Sequence, residues 1–178
     1  MGRKRGPVGT IKKELLMSTG TLTLHRFNGD EVFNVSDATI SYFVAESHII
    51  LQFDVKTEDV PVQTLPDTEE LNGRPNGAWQ LTVSAFDPDD LVGKTFLVPQ
   101  GYDEDTEEYL AIFYYVEHEA VDNSEIVITG RDKDKYQATI ISTVPDVNYY
   151  DGSKPATKIV IQAGFTLSRS EEPLDPVG

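Results

Sequence analysis

Oxygen-bearing side chains clustered on turns are what calcium requires, and this chain carries four such clusters. They are Asp87-Pro88-Asp89-Asp90, Asp103-Glu104-Asp105, Asp132-Lys133-Asp134 and Asp146-Val147-Asn148-Tyr149-Tyr150-Asp151-Gly152. If the second half of the chain runs as an up-and-down meander, the loops at Asp87 and Asp146 share one end of it. Asp87, Asp89, Asp146 and Asp151 are then expected to converge on one calcium ion. The competing account is that Asp, Asn and Gly stand there because they form turns and solubilise strand ends.

Tyrosines give a second kind of chemistry. Tyr149 and Tyr150 are adjacent in the longest loop of the second half, so they point in different directions and one is available to a ligand or partner. Tyr102 extends such a surface. The three histidines, His25, His48 and His118, are far apart in sequence. On an extended strand Glu117 and Glu119 share one face while His118 points to the other, so a metal there would need ligands from neighbouring strands. The chain has no phosphate-binding glycine loop, no His-Glu-x-x-His and no Gly-x-Ser-x-Gly turn. A pair of acids for glycoside hydrolysis can be drawn from the same loops, but such a site is defined by separation in space.

Charge narrows the class of partner. There are 30 acidic residues against 15 basic ones, a net charge of −15. Such a surface repels nucleic-acid phosphates and anionic lipid head groups, so neither is an expected partner. Cysteine is absent, which removes disulfides and thiolate chemistry. With 178 residues and 39% hydrophobic content the chain is long and apolar enough for one globular domain with a real core.

The elements that position these residues are read from apolar spacing. No window of ten residues after Gly20 shows a helical period, while two-residue alternation recurs. Ile49, Leu51, Phe53 and Val55 alternate with Ile50, Gln52, Asp54 and Lys56, and Trp79 to Phe86 alternates similarly. Phe27-Asn28-Gly29-Asp30 is a hairpin signal, because Asn and Gly tolerate positive φ. Tyr136–Val144 and Ile159–Phe165 are expected to pair. Tyr109–Val116, apolar on both faces, is expected to be the central strand. Asp67–Leu71 reads as a single capped helical turn, and Asn72–Gly77 as a loop between two halves. The fold predicted is all-β: an antiparallel sandwich or flattened barrel of roughly ten short strands, with no long helix.

The predicted organisation has a basic leader over residues 1–16, a β domain over 17–168 and a flexible tail over 169–178. The leader carries five basic residues and one acid. Lys12-Lys13-Glu14 is also what a purine-rich bacterial ribosome-binding site before a Met17 start codon would encode, so the natural chain is expected to begin at Met17. No export signal is legible, which points to the cytoplasm. The function expected first is a non-catalytic acidic module that engages a protein partner as an accessory, inhibitor or assembly subunit. A calcium-assisted carbohydrate- or small-ligand-binding module comes second, and a hydrolase using loop carboxylates third.

Overall fold

Alternating burial runs through every long strand of the structure, a computed structural model that describes residues 19–62 and 71–177. The basic leader lies outside the described residues, as does the helical turn expected at 67–71 apart from Leu71. Fourteen strands follow one another: β1 (Gly20–Arg26), β2 (Gly29–Val44), β3 (Ile49–Thr57), β4 (Val60–Val62), β5 (Leu71–Gly73), β6 (Asn76–Val83) and β7 (Thr95–Val98), then β8 (Tyr102–Asp103), β9 (Glu108–Tyr109), β10 (Ala111–Tyr114), β11 (His118–Ala120), β12 (Asp122–Asp132), β13 (Lys135–Val144) and β14 (Thr157–Arg169). Ten of them form one sheet in the order β11-β10-β6-β3-β2-β1-β14-β13-β12-β7. The other four form two small hairpins, β4-β5 and β8-β9. The protein is all-β, and no helix occurs among the described residues.

The long strand β2 is where the sheet turns on itself. Its first half pairs with β1, and after a bulge between Val35 and Asp37 its second half pairs with β3 and, in parallel, with the end of β14. A bulge raises local twist and bends the strand. The two parts of the sheet then face each other. Phe53 on β3 meets Phe165 on β14 edge-on at 6.1 Å and Phe96 on β7 at 5.8 Å. Trp79 on β6, wholly buried, donates its indole N–H to Ser124 Oγ on β12 at 3.0 Å. Phe53 and Phe165 are buried while Phe96 is only partly so, and full burial of a phenylalanine side chain contributes about 1.5–3 kcal/mol.

The hairpins at both ends of the chain form as their sequences dictate. β1 and β2 are joined through Phe27 and Asn28, with Gly29 at φ 125° as the first residue of β2. Arg26 pairs with Gly29, so the loop sits one residue earlier than an Asn28-Gly29 centre would put it; Gly29 keeps the positive φ and Asn28 does not share it. β13 and β14 pair in unbroken register from Lys135↔Thr166 to Val144↔Thr157.

Two expectations change. Tyr109–Val116 is not the central strand: it divides into β9 and β10, and β10 lies one place in from the end of the sheet. Its inner side chains, Ala111, Phe113 and Tyr115, belong to the core, while Ile112 is buried on the opposite face. Asn72–Gly77 is not a free loop. It supplies β5 and the start of β6, and Thr57 Oγ1 fixes its middle by donating to Pro75 O at 2.7 Å. In the segment after β14, Ser170 N donates to Tyr42 O, Gln80 Nε2 donates to Asp175 O, and Val177 is buried.

Candidate interaction surface

One end of the sandwich gathers the β1-β2 turn, the β10-β11 turn and the loop at residues 145–156. Beneath them lies a group of buried polar side chains. Arg26 ends β1 and its guanidinium donates twice to Asp146, Nε to Oδ2 at 3.0 Å and Nη2 to Oδ1 at 2.9 Å. Nη1 donates to Glu31 Oε1 at 2.9 Å, and the Tyr115 hydroxyl donates to Glu31 Oε2 at 2.8 Å. Thr157 Oγ1 and the Asn148 backbone N–H complete the acceptor demand of Asp146. Burial alone would push the Asp146 carboxyl up, but the hydrogen bonds and charge of Arg26 together with the N–H of Asn148 hold it below the ordinary carboxylate range. The guanidinium is likewise held in its charged form, with its pKa raised by both carboxylates against the cost of burial.

This arrangement decides the fate of the expected calcium site. Asp146 is fully buried and committed to Arg26, so it faces no solvent-accessible ion. Asp151 is exposed and its Oδ1 accepts the N–H of Ser153, as a turn former does; that hydrogen bonding holds its carboxyl below the ordinary range. Asp87 and Asp89 lie at the opposite end of the domain. Asp87 Oδ1 accepts Asp89 N, Asp89 faces Arg131 at 3.7 Å, and Pro88 O accepts the hydroxyl of Tyr136 at the start of β13. From Tyr136 to Val144, just before Asp146, is roughly 25 Å of strand. The meander that would have brought the two loops together is not formed, because β10 and β11 pair on the β6 side while β7 takes the other edge of β12. Among the described residues no three His, Asp or Glu side chains gather where they could hold a metal.

The tyrosines separate as well. Tyr149 is half-buried, edge-on to the exposed ring of Phe27 at 5.7 Å, with Lys154 Nζ 5.3 Å from both ring centres. Tyr150 turns inward. Its hydroxyl is buried without a hydrogen-bond partner among the described residues, and burial, opposed by the nearby backbone of Glu117, pushes its pKa up to about 12. Tyr102 sits apart from both, on the β8-β9 hairpin, edge-on to Tyr109 at 5.0 Å.

That hairpin is the feature that motif reading passes over. Between Lys94 and Arg131 the chain has nine acidic residues and no lysine or arginine. Five of them, Asp103, Glu104, Asp105, Glu107 and Glu108, occupy the hairpin, where residues 104–109 are all exposed. None of the nine forms an ion pair with a described residue. Two others, Glu117 and Glu119, flank His118 at the β10-β11 turn, where burial and the charge of Glu117 raise the Glu119 pKa. The signal was present in the sequence as a gap in the basic residues.

Gly101 joins the hairpin to the body. Its N–H donates to Asp122 Oδ1 at 2.8 Å and its carbonyl accepts from Leu110 and Ala111 at 2.8 and 3.0 Å. A Cβ at this position would collide with the backbone of Val121 and with Ala111 O. The arm therefore leaves the sheet from a fixed root, which presents the Tyr102–Tyr109 pair in one orientation.

No helix among the described residues is long and apolar enough to cross a membrane. No family model, curated protein or solved structure matches the chain.

Proposed function

We propose that the protein is a non-catalytic binding module whose β8-β9 hairpin engages a basic surface of another protein. One observation carries the reading: an exposed tyrosine pair, Tyr102 and Tyr109, stands among five acids that no described base neutralises. Tyrosine supplies large contact area at small entropic cost, and it is enriched at interface centres. Unpaired acids around it steer a cationic partner and raise the rate of encounter more than the final affinity. The rooted glycine reduces the ordering cost of binding.

Capture of partners from a lysate by the full chain tests this, run from about 0.1 to about 1 M salt, across which the screening length falls from about 10 to about 3 Å. Retention of a basic protein at low salt should be lost at high salt. It should also be lost in a variant with Tyr102→Ala and Tyr109→Ala, and in one with Glu104, Asp105, Glu107 and Glu108 made amides. Partners held equally by all three proteins, or insensitive to salt, would remove the hairpin from the reading.

A further inference from the structure

The outer face of the β3-β6-β10 layer, away from the core, is met by the segment that follows β14. Core residues of β3 and β6 are Leu51, Phe53, Val55 and Trp79, so Gln52, Asp54, Ala78 and Gln80 point to the other side. There they make a connected polar row. Gln52 Nε2 donates to both oxygens of Asp54 at 3.0 and 3.1 Å, and Gln52 Oε1 accepts from Gln80 Nε2 at 3.2 Å. Gln80 Nε2 also donates to the backbone carbonyl of Asp175 at 3.1 Å. Beside this row, Asp54, Ala78, Ile112 and Ala120 stand opposite one another across four strands. Ile112 is 6% exposed and Val177, two residues past Asp175, is 5% exposed, yet neither belongs to the core cluster.

We infer that this face is a peptide-binding surface, and that Ser170–Val177 is a displaceable strap occupying it in the free protein. The ligand class is an extended peptide with a free backbone carbonyl for Gln80 and, two residues on, a small branched apolar side chain. Three observations support displacement rather than permanent packing. Among the described residues only two hydrogen bonds tie the strap to the body, at Ser170 and Asp175. Pro173 and Pro176 lack N–H donors, so the segment cannot lock on as a further strand. Glu171, Glu172, Pro173, Asp175 and Pro176 are all exposed, which leaves Val177 as the one buried anchor. A cis occupant of this kind lowers the apparent affinity for a competitor by the fraction of time that it is bound.

The experiment uses full-length protein and a fluorescent synthetic peptide of residues 170–178. V177D removes the strap's anchor while leaving the face intact, and anisotropy should show the peptide binding V177D at least about tenfold more tightly than the wild type. Adding Gln80→Ala to V177D should abolish that gain. Absence of peptide binding to a V177D protein with an unchanged melting curve overturns the proposal. Hydrogen exchange on the wild type gives an independent reading: the amides of Leu174, Asp175 and Val177 should exchange far faster than those of β14, and exchange only through global unfolding overturns the strap as a displaceable element.

Discussion

Arg26 and Asp146, 120 residues apart in sequence, meet through two parallel charge-assisted hydrogen bonds of 3.0 and 2.9 Å in a place closed to solvent. The pair ties the end of β1 to the loop leaving β13, and through Glu31 and Tyr115 it reaches β2 and the residue that follows β10. Burying charge is costly, and the cost is offset here because the donors and acceptors are matched in geometry. The loops above the pair, which carry Phe27 and Tyr149, are thereby fixed relative to one another.

Removing one partner should therefore be far worse than the small value of an exposed ion pair. Asp146→Asn is expected to lower unfolding free energy by about 3–5 kcal/mol, since it leaves the guanidinium without its bidentate partner. Denaturant titration measures this. The pH dependence has a definite sign: a carboxyl held below its ordinary pKa in the folded state stabilises fully above the unfolded value and loses that contribution as pH falls through its folded value. The wild type should lose stability in that acid range, and Asp146→Asn should lose less. Equal acid sensitivity in both proteins would contradict this account.

Gly101→Ala should act on the root of the hairpin. The new methyl would meet backbone atoms of Val121 and Ala111, which cannot move aside as a side-chain tip can. A loss of about 1–3 kcal/mol is expected from overpacking. Nuclear Overhauser contacts between Tyr102 and Tyr109 should survive, because they are internal to the arm, while those from the arm to Val121 weaken.

Local pattern made much of this fold legible. Alternation at Ile49 to Val55 marks β3, and the two β-branched runs that form β13 and β14 pair as their spacing implies. What escaped has a non-local cause in each case. Tyr109–Val116 is apolar on both faces because β10 is covered by the core on one side and sheltered at Ile112 on the other, and nothing within the segment distinguishes that from a central strand. Asp146 looked like a loop ligand because its partner, Arg26, lies in the first hairpin. The contacts of the segment after β14 are equally non-local, since they are made to Tyr42 on β2 and Gln80 on β6. The acidic stretch between Lys94 and Arg131 was visible by counting charge, but its exposure on a rooted hairpin was not.

Asp54 offers a case of the opposite sign to Asp146. Burial raises its pKa, and the Gln52 amide and Lys56 only partly oppose that. A carboxyl raised in the folded state works against stability at neutral pH, and this penalty disappears as pH falls through its folded value. Asp54→Asn should thus raise the melting temperature at pH 7, with the advantage shrinking toward pH 4. A variant no more stable than wild type at pH 7 would show that the Gln52 hydrogen bonds outweigh the cost of burial.

Glu107 closes the tip of the acidic hairpin with φ 57°, a left-handed conformation that a residue with a Cβ adopts at a cost of about 1–2 kcal/mol. Glycine carries no such cost, though it adds entropy to the unfolded chain. Glu107→Gly should therefore stabilise by about 0.5–1 kcal/mol. It also removes one of five crowded acids, so Glu107→Gln, which removes the charge and keeps the Cβ, is the control. If strain dominates, thermal melts will place the glycine variant above the glutamine variant at both low and high salt. If repulsion dominates, the two will rise together at low salt and fall back together when the charges are screened.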